Sequence, residues 1–341
     1  MNAAVLAGLI VAAAILSWCF TVWVEQRARR LGLVQHPNHR SSHSIPTPSG
    51  GGVAIAIATV LGIAALCLLA APGLWPLALG TAAIAALGFA DDLRDLPASM
   101  RFPVQALISA GLIWLLPPLP PVVLLGSLTF SGLVLALLVL FVGLWWLNLF
   151  NFMDGIDGLA ASQAILILAG ACIIWWSGDH TLATSPVFAM ALVCAAATLG
   201  FLLRNWPPAR IFMGDAGSNA LALVIFAFAM LTLAQGAISY PAWLSLPALF
   251  VTDATVTLVR RSLRGERPWQ AHRRHAYQQL ARQWSHQRVT LLYAALTSFW
   301  CLPVALMAQH TAHWAWAGLA YAPLLGFVAW AKAGAATETP A

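Results

Sequence analysis

The chain has 341 residues, of which 61% are hydrophobic and only 8% charged; soluble domains run roughly 45–50% apolar and about 25% charged. So few charges exclude a soluble globular surface, and so apolar a composition excludes a disordered chain. The net charge of +6 is no nucleic-acid signature either, because the basic residues sit in short gaps between apolar runs rather than in a free arm.

Those runs are too long, and too unbroken by alternation, for the roughly ten-residue strands of a membrane barrel. They predict an all-α polytopic membrane protein with eleven spans, near 3–24, 52–71, 74–90, 102–117, 132–149, 159–176, 186–203, 217–235, 240–259, 289–308 and 314–331. Pro and Gly clusters mark several breaks, among them Ala71-Pro72-Gly73 and Trp206-Pro207-Pro208. No positive charge precedes the first run, while Arg27, Arg29 and Arg30 follow it, so the N-terminus is expected outside, uncleaved and periplasmic. Eleven spans then put all 17 Lys and Arg inside and the C-terminus in the cytoplasm. A small hairpin is expected over 122–130, and a bend at Pro247 that opens a groove for a lipid chain. Residues 1–331 read as a single membrane domain and 332–341 as a loose tail. Cys19, Cys67, Cys172, Cys194 and Cys301 form no CxxC pair and read as reduced core residues.

Ionisable groups at the ends of membrane helices are functional candidates by default. Ten of the eleven acids fall on the inner side, with Asp179 the exception, and six of the ten lie in short motifs. Asp91-Asp92 closes the third span; adjacent carboxylates repel unless a cation or a metal-bound phosphate lies nearby, though a solvated acidic cap beside Arg94 is the plainer reading. Asn151, Asp154 and Asp157 recur every three residues and share a face if the segment is helical, with Gly155 and Gly158 allowing close approach of a ligand; the plainer reading is a capped turn. Phe212-Met213-Gly214-Asp215 precedes the eighth span, whose N-terminus either receives a phosphate or is capped by Asp215 or Ser218. The loop from Arg260 to Arg288 carries His272, Arg273, Arg274 and His275, and Asp253 is expected to pair with a nearby Arg. The amino-terminal loop offers His36, His39, Arg40 and His43 to an anion ahead of Thr47-Pro48. Oxygen ligands without cysteine, beside Arg and His, point to Mg²⁺ (or Mn²⁺ in its place) holding phosphate, and hence to phosphoryl transfer at the inner membrane face.

In order, Asp91-Asp92, Asn151-x-x-Asp154-Gly155-x-Asp157-Gly158, Phe212-Met213-Gly214-Asp215 and His275 resemble the polyprenyl-phosphate N-acetylhexosamine-1-phosphate transferases, over nearly the whole chain. The resemblance implies a bacterial inner-membrane enzyme that moves an N-acetylhexosamine-1-phosphate from a UDP-sugar to undecaprenyl phosphate and releases UMP. Position by position, it implies Asp215 as Mg²⁺ ligand with Asn151 as a second ligand, and Asp91 and Asp92 beside the lipid phosphate, with Asp91 taking its proton. Asp154 and Asp157 would organise the diphosphate and metal. Asn205, Gly155 and Phe212 would frame the uracil, His275 and Arg261 would bind phosphate or sugar, and Thr47 would lie at the substrate. A lone His275, where related loops cluster histidines, is more like the transferases that start O-antigen or common-antigen lipopolysaccharide chains than the peptidoglycan enzyme, phospho-MurNAc-pentapeptide transferase, which is the alternative. Ser49 stands where similar loops often carry Arg. A homodimer is left open. A secondary transporter would place its acids near the midplane in paired repeats, and a CDP-alcohol or prenyl transferase would show DxxxD rather than DGxDG.

Overall fold

A computed structural model describes residues 2–35, 46–124, 126–178, 185–267 and 272–335. The helices are α1 (Ala3–Leu31), α2 (Gly52–Leu69), α3 (Trp75–Arg94), α4 (Ala98–Leu115), α5 (Gly132–Phe152), α6 (Leu159–Gly178), α7 (Pro186–Asn205) and α8 (Asp215–Ala234), then α9 (Tyr240–Ser245), α10 (Ala248–Leu263), α11 (Ala276–Ala281), α12 (His286–Leu296), α13 (Leu302–Thr311) and α14 (Ala315–Trp330). Every one of the eleven expected apolar segments is helical. Among the described residues nine are long and apolar enough to cross a membrane, with α12 and α13 joined into one stretch by a π-helical turn at Thr297–Cys301. The other two fall short for visible reasons. The ninth segment is cut into α9 and α10 at Leu246-Pro247, where the missing proline N–H breaks the ladder, and α14 is only 16 residues long. Large apolar side chains such as Trp114, Phe141 and Phe299 face outward, as lipid-exposed positions require.

Helix α8 is the central post, almost wholly buried and packed by α2, α3, α5, α6 and α7. Two close approaches fix its first turn. A Cβ on Gly52 would lie 2.3 Å from Gly217 Cα, and one on Gly88 would lie 2.4 Å from the Asp215 carbonyl oxygen. Glycine therefore lets α2 and α3 press directly on the backbone of α8.

The hairpin expected over 122–130 forms, with β3 (Val122–Leu124) paired antiparallel to β4 (Leu128–Phe130). A second pair, unforeseen, joins β1 (Val34–Gln35) to β2 (Thr47–Pro48); histidines 36, 39 and 43 and Arg40 between them lie outside the described residues, as do Asp179 and residues 336–341. The start of the supposed loose tail is instead docked. Ala333 is fully buried, Gly334 N–H donates to the Arg274 carbonyl at 2.7 Å, and Arg260 and Arg264 donate to the carbonyls of Ala333 and Gly334. Of the five cysteines, all free, Cys19 is exposed on α1 rather than in the core.

Candidate active site

Four helix ends converge: the C-terminal ends of α3 and α5 and the N-terminal ends of α4 and α8. Arg101, in the first turn of α4, joins two of them. Its Nη1 lies 2.5 Å from Asp91 Oδ2 and 3.2 Å from Asp215 Oδ2. Asp91 and Asp215 thus share one end of the bundle. Asp91 is also 7% exposed and its other oxygen accepts from Leu96 N–H at 2.7 Å, so both oxygens are engaged.

Asp92 does something the sequence did not show. Its Oδ1 accepts from the N–H of Asp215 at 2.7 Å and its Oδ2 from that of Ala216 at 3.2 Å, so it caps α8 from another helix. Neither Asp215 nor Ser218 caps that helix; Gly214 precedes it, and the orphan donors that might have held a phosphate face a carboxylate already. This also explains Gly214. Its φ is +76°, and a Cβ there would sit 2.7 Å from Asp92 Oδ2. Gly214→Ala should cost at least about 1 kcal/mol through the left-handed backbone alone, and push Asp92 off the helix; thermal unfolding would show the loss.

Asn151, on the last turn of α5, turns its amide to Asp215 Oδ1 at 2.7 Å and Ser218 Oγ at 3.0 Å, and so orients Asp215. The expected shared helical face for Asn151, Asp154 and Asp157 does not form, because α5 ends at Phe152 and 153–158 is a loop closed by Gly158 at φ +72°. The two aspartates then diverge. Asp157 Oδ2 accepts from Ala209 N–H at 3.0 Å and lies 3.3 Å from His286 Nδ1. Asp154 accepts no hydrogen bond from the described residues. Burial lifts its carboxyl well above the usual carboxylate range, and the charges of Asp215, Asp92 and Asp157 push the same way. Of Asp91, Asp92, Asp154, Asp157 and Asp215, it is the one that no described residue holds by a hydrogen bond.

Asn205, expected at the uracil, braces the loop from within. It is 3% exposed; its oxygen accepts from Gly158 N–H and its amide donates to the Ile211 carbonyl, both at 2.9 Å, so it pins the 153–158 loop to the turn after α7. Phe212 is partly exposed between that turn and β2: its N–H donates to the Pro48 carbonyl at 2.8 Å and its carbonyl accepts from Gly51 N–H at 2.9 Å, next to Thr47. Gly155 lies under Tyr277, whose hydroxyl would be 2.1 Å from a Cβ there.

Tyr277 links this cluster to a second one. Its hydroxyl donates to the Phe152 carbonyl at 2.9 Å and its ring stacks on His275 at 5.6 Å. His275 is 1% exposed, with both ring nitrogens lacking a hydrogen bond and Nδ1 3.7 Å from Asp253. Where an Arg was expected, Asp253 accepts from Ala276 N–H, Tyr277 N–H and the Tyr293 hydroxyl, and so caps α11. Arg261 is 2% exposed and pairs with Glu266 at 2.9 Å, which also pairs with Arg274. Burial, then the charges of His275, Arg261 and Arg274, push His272 down to about 3, so it is a neutral imidazole beside a cationic patch. The residues missed in the sequence are Arg101, Asp253 and His286. Arg101 alone carried a signal, a basic side chain two turns beyond Asp91-Asp92.

No three His, Cys, Asp or Glu side chains among the described residues converge to chelate a metal unaided. Mg²⁺ is commonly held by one or two carboxylates with substrate phosphates completing its shell. Oxygen-only donors, and an unpaired Asp154 among like charges that Arg101 only partly balances, fit that habit.

Fold and site together define a polytopic membrane protein whose acids meet where four helix ends converge. The sequence profile of glycosyl transferase family 4 matches residues 74–233. The decaprenyl-phosphate N-acetylglucosaminephosphotransferase of Mycolicibacterium smegmatis is 31% identical over 317 residues, covering 82% of this chain and 76% of its own. A probable undecaprenyl-phosphate N-acetylglucosaminyl 1-phosphate transferase of Bacillus subtilis is 30% identical, with 81% and 77% covered. The phospho-N-acetylmuramoyl-pentapeptide-transferase of Nocardia farcinica is 35% identical over a shorter stretch, 54% and 63%. The chain belongs to glycosyl transferase family 4, within the superfamily of polyprenyl-phosphate N-acetylhexosamine-1-phosphate transferases. It is a membrane-embedded sugar-1-phosphate transferase with a polyprenyl phosphate as acceptor.

Proposed function

We propose that the protein transfers an N-acetylhexosamine-1-phosphate from a UDP-sugar to undecaprenyl phosphate at the cytoplasmic face of the bacterial inner membrane, as the step that starts a lipid-linked surface glycan of the O-antigen type. The observation that carries this is the gathering of Asp91, Asp92, Arg101, Asn151, Asp154 and Asp215 at one end of the bundle. Its cytoplasmic placement is supported by the one-sided Lys and Arg.

In this reading an oxygen of the lipid phosphate attacks the β-phosphorus of the donor, the bond between that phosphorus and the bridging oxygen breaks, and UMP leaves. Mg²⁺ bound at Asp215 would supply charge neutralisation of the diphosphate. Asp154, avid for a proton and without a hydrogen bond from the described residues, suits the proton-acceptor role better than Asp91, whose oxygens are occupied. Asp91 and Arg101 hold Asp215 in place, Asn151 orients it, and Asp92 fixes the helix it stands on. Phe212, beside Thr47 and partly exposed, would stack on the base. His272, partly exposed beside the buried His275 and Arg261, marks the adjoining face where the sugar or phosphate end would lie.

Purified protein with undecaprenyl phosphate, Mg²⁺ and a panel of UDP-sugars is expected to release UMP and form a lipid diphosphate-sugar of matching mass. Chelation by EDTA should stop it, and excess Mg²⁺ or Mn²⁺ should restore it. Absence of product with every UDP-N-acetylhexosamine refutes the reading; product only with the UDP-MurNAc-pentapeptide points to the peptidoglycan alternative.

A further inference from the structure

The first turn of α12 reaches across about 130 positions of sequence to the 153–158 loop. His286 and Thr290 lie four residues apart, on one face of that helix. His286 Nδ1 is 3.3 Å from Asp157 Oδ2, and the Thr290 hydroxyl donates to the Asp157 carbonyl at 3.0 Å. Thr290 is fully buried, and the Asp157 and His286 side chains are 13% and 19% exposed. One residue is thus held at both its side chain and its main chain by one helix face. Ser285 caps that helix by accepting from Arg288 N–H at 3.3 Å, which fixes where His286 starts. Nδ1 also accepts from Asp157 N–H at 3.5 Å, so the ring touches both the carboxylate and the main chain of Asp157.

The same Asp157 oxygen takes the Ala209 N–H, and the next residue, Gly158, is tied to Asn205. The loop is therefore clamped between α12 and the turn after α7, at its C-terminal end. Its other end is the helical stop at Phe152. Between them stands Asp154, whose carboxylate takes no hydrogen bond from the described residues. We infer that His286, with Thr290, is a positioning residue of the transfer reaction: through Asp157 it sets where the Asp154 carboxylate stands, without touching substrate. This rests on the transferase reading above.

The test is His286→Ala beside His286→Asn, because the Asn amide puts a polar group nearly in the place of Nδ1 that can accept from Asp157 N–H. A misplaced reacting group costs up to about 10²-fold in rate, so His286→Ala should lower kcat by about that factor while KM for the UDP-sugar stays within about threefold. His286→Asn should recover at least about tenfold of that loss. Asp157→Asn combined with His286→Ala should be no slower than the slower single variant, as members of one relay are not additive. Wild-type kcat in His286→Ala, or no recovery in His286→Asn, overturns the inference. Trypsin gives a readout that needs no turnover. Loss of the clamp should speed cleavage at Arg210 in His286→Ala relative to wild type and His286→Asn, and equal rates in all three overturn it. If wild type makes no product while trypsin separates the variants, the transferase reading has failed and the clamp stands. If His286→Ala does not fold, Thr290→Val removes only the main-chain half of the grip and should show the same cleavage change; its absence counts against the proposal.

Discussion

Asp154→Asn should abolish most turnover while making the substrate-free protein more stable. Losing one group aimed at the developing charge of a transition state typically costs about 10²–10³ in kcat. Stability moves the other way because no described residue hydrogen-bonds the Asp154 carboxylate, and the change removes one negative charge from beside Asp215, Asp92 and Asp157. The pH dependence follows in sign. The folded protein holds this proton above the usual range, so as pH rises through the unfolded carboxylate value the unfolded chain releases its proton first. Stability in the absence of divalent cation should then fall with rising pH until the folded group also ionises, and the Asn variant should lack that slope. Melting curves from acid to neutral pH, with EDTA present, check both parts; a variant less stable than wild type throughout would contradict the unpaired state of Asp154.

Arg101 is the second residue where a single change should have a large effect. Removing one partner of a buried ion pair costs about 3–5 kcal/mol, and the low end applies here because the Arg101 side chain is 33% exposed. Arg101→Ala leaves Asp91 buried and Asp215 without its cationic neighbour, so both stability and kcat should drop. Arg101→Lys is informative because both contacts run through the same nitrogen, Nη1. A single ammonium can serve both carboxylates, so the Lys variant should retain a large part of the activity, whereas a site needing the two-pronged guanidinium would not.

How much of this the sequence disclosed depends on whether the information was local. Apolar runs and proline breaks are local, so all eleven segments and the split at Pro247 could be read directly. The acid motifs could be located, but not ranked, because rank depends on partners from distant helices. Asp92 looked equivalent to Asp91 until its oxygens were found on the N–H groups of Asp215 and Ala216. Asp154 and Asp157 looked like one face of a helix until the chain broke at Phe152 and sent one to His286 and left the other alone. Asn205 was expected at a base, and its bracing of the 153–158 loop through Gly158 and Ile211 could not be read locally. Asp253 had no motif around it, and its value as a cap for α11 exists only because Ala276 and Tyr277 fold back to it.

The capping of α8 by Asp92 bears on inhibitor design. An acidic compound aimed at the start of that helix would have to displace a tethered carboxylate, whose effective local concentration far exceeds that of any dissolved drug. Ligands that are neutral there, and that reserve their negative charge for the space beside Asp154 and Arg101, avoid this internal competitor.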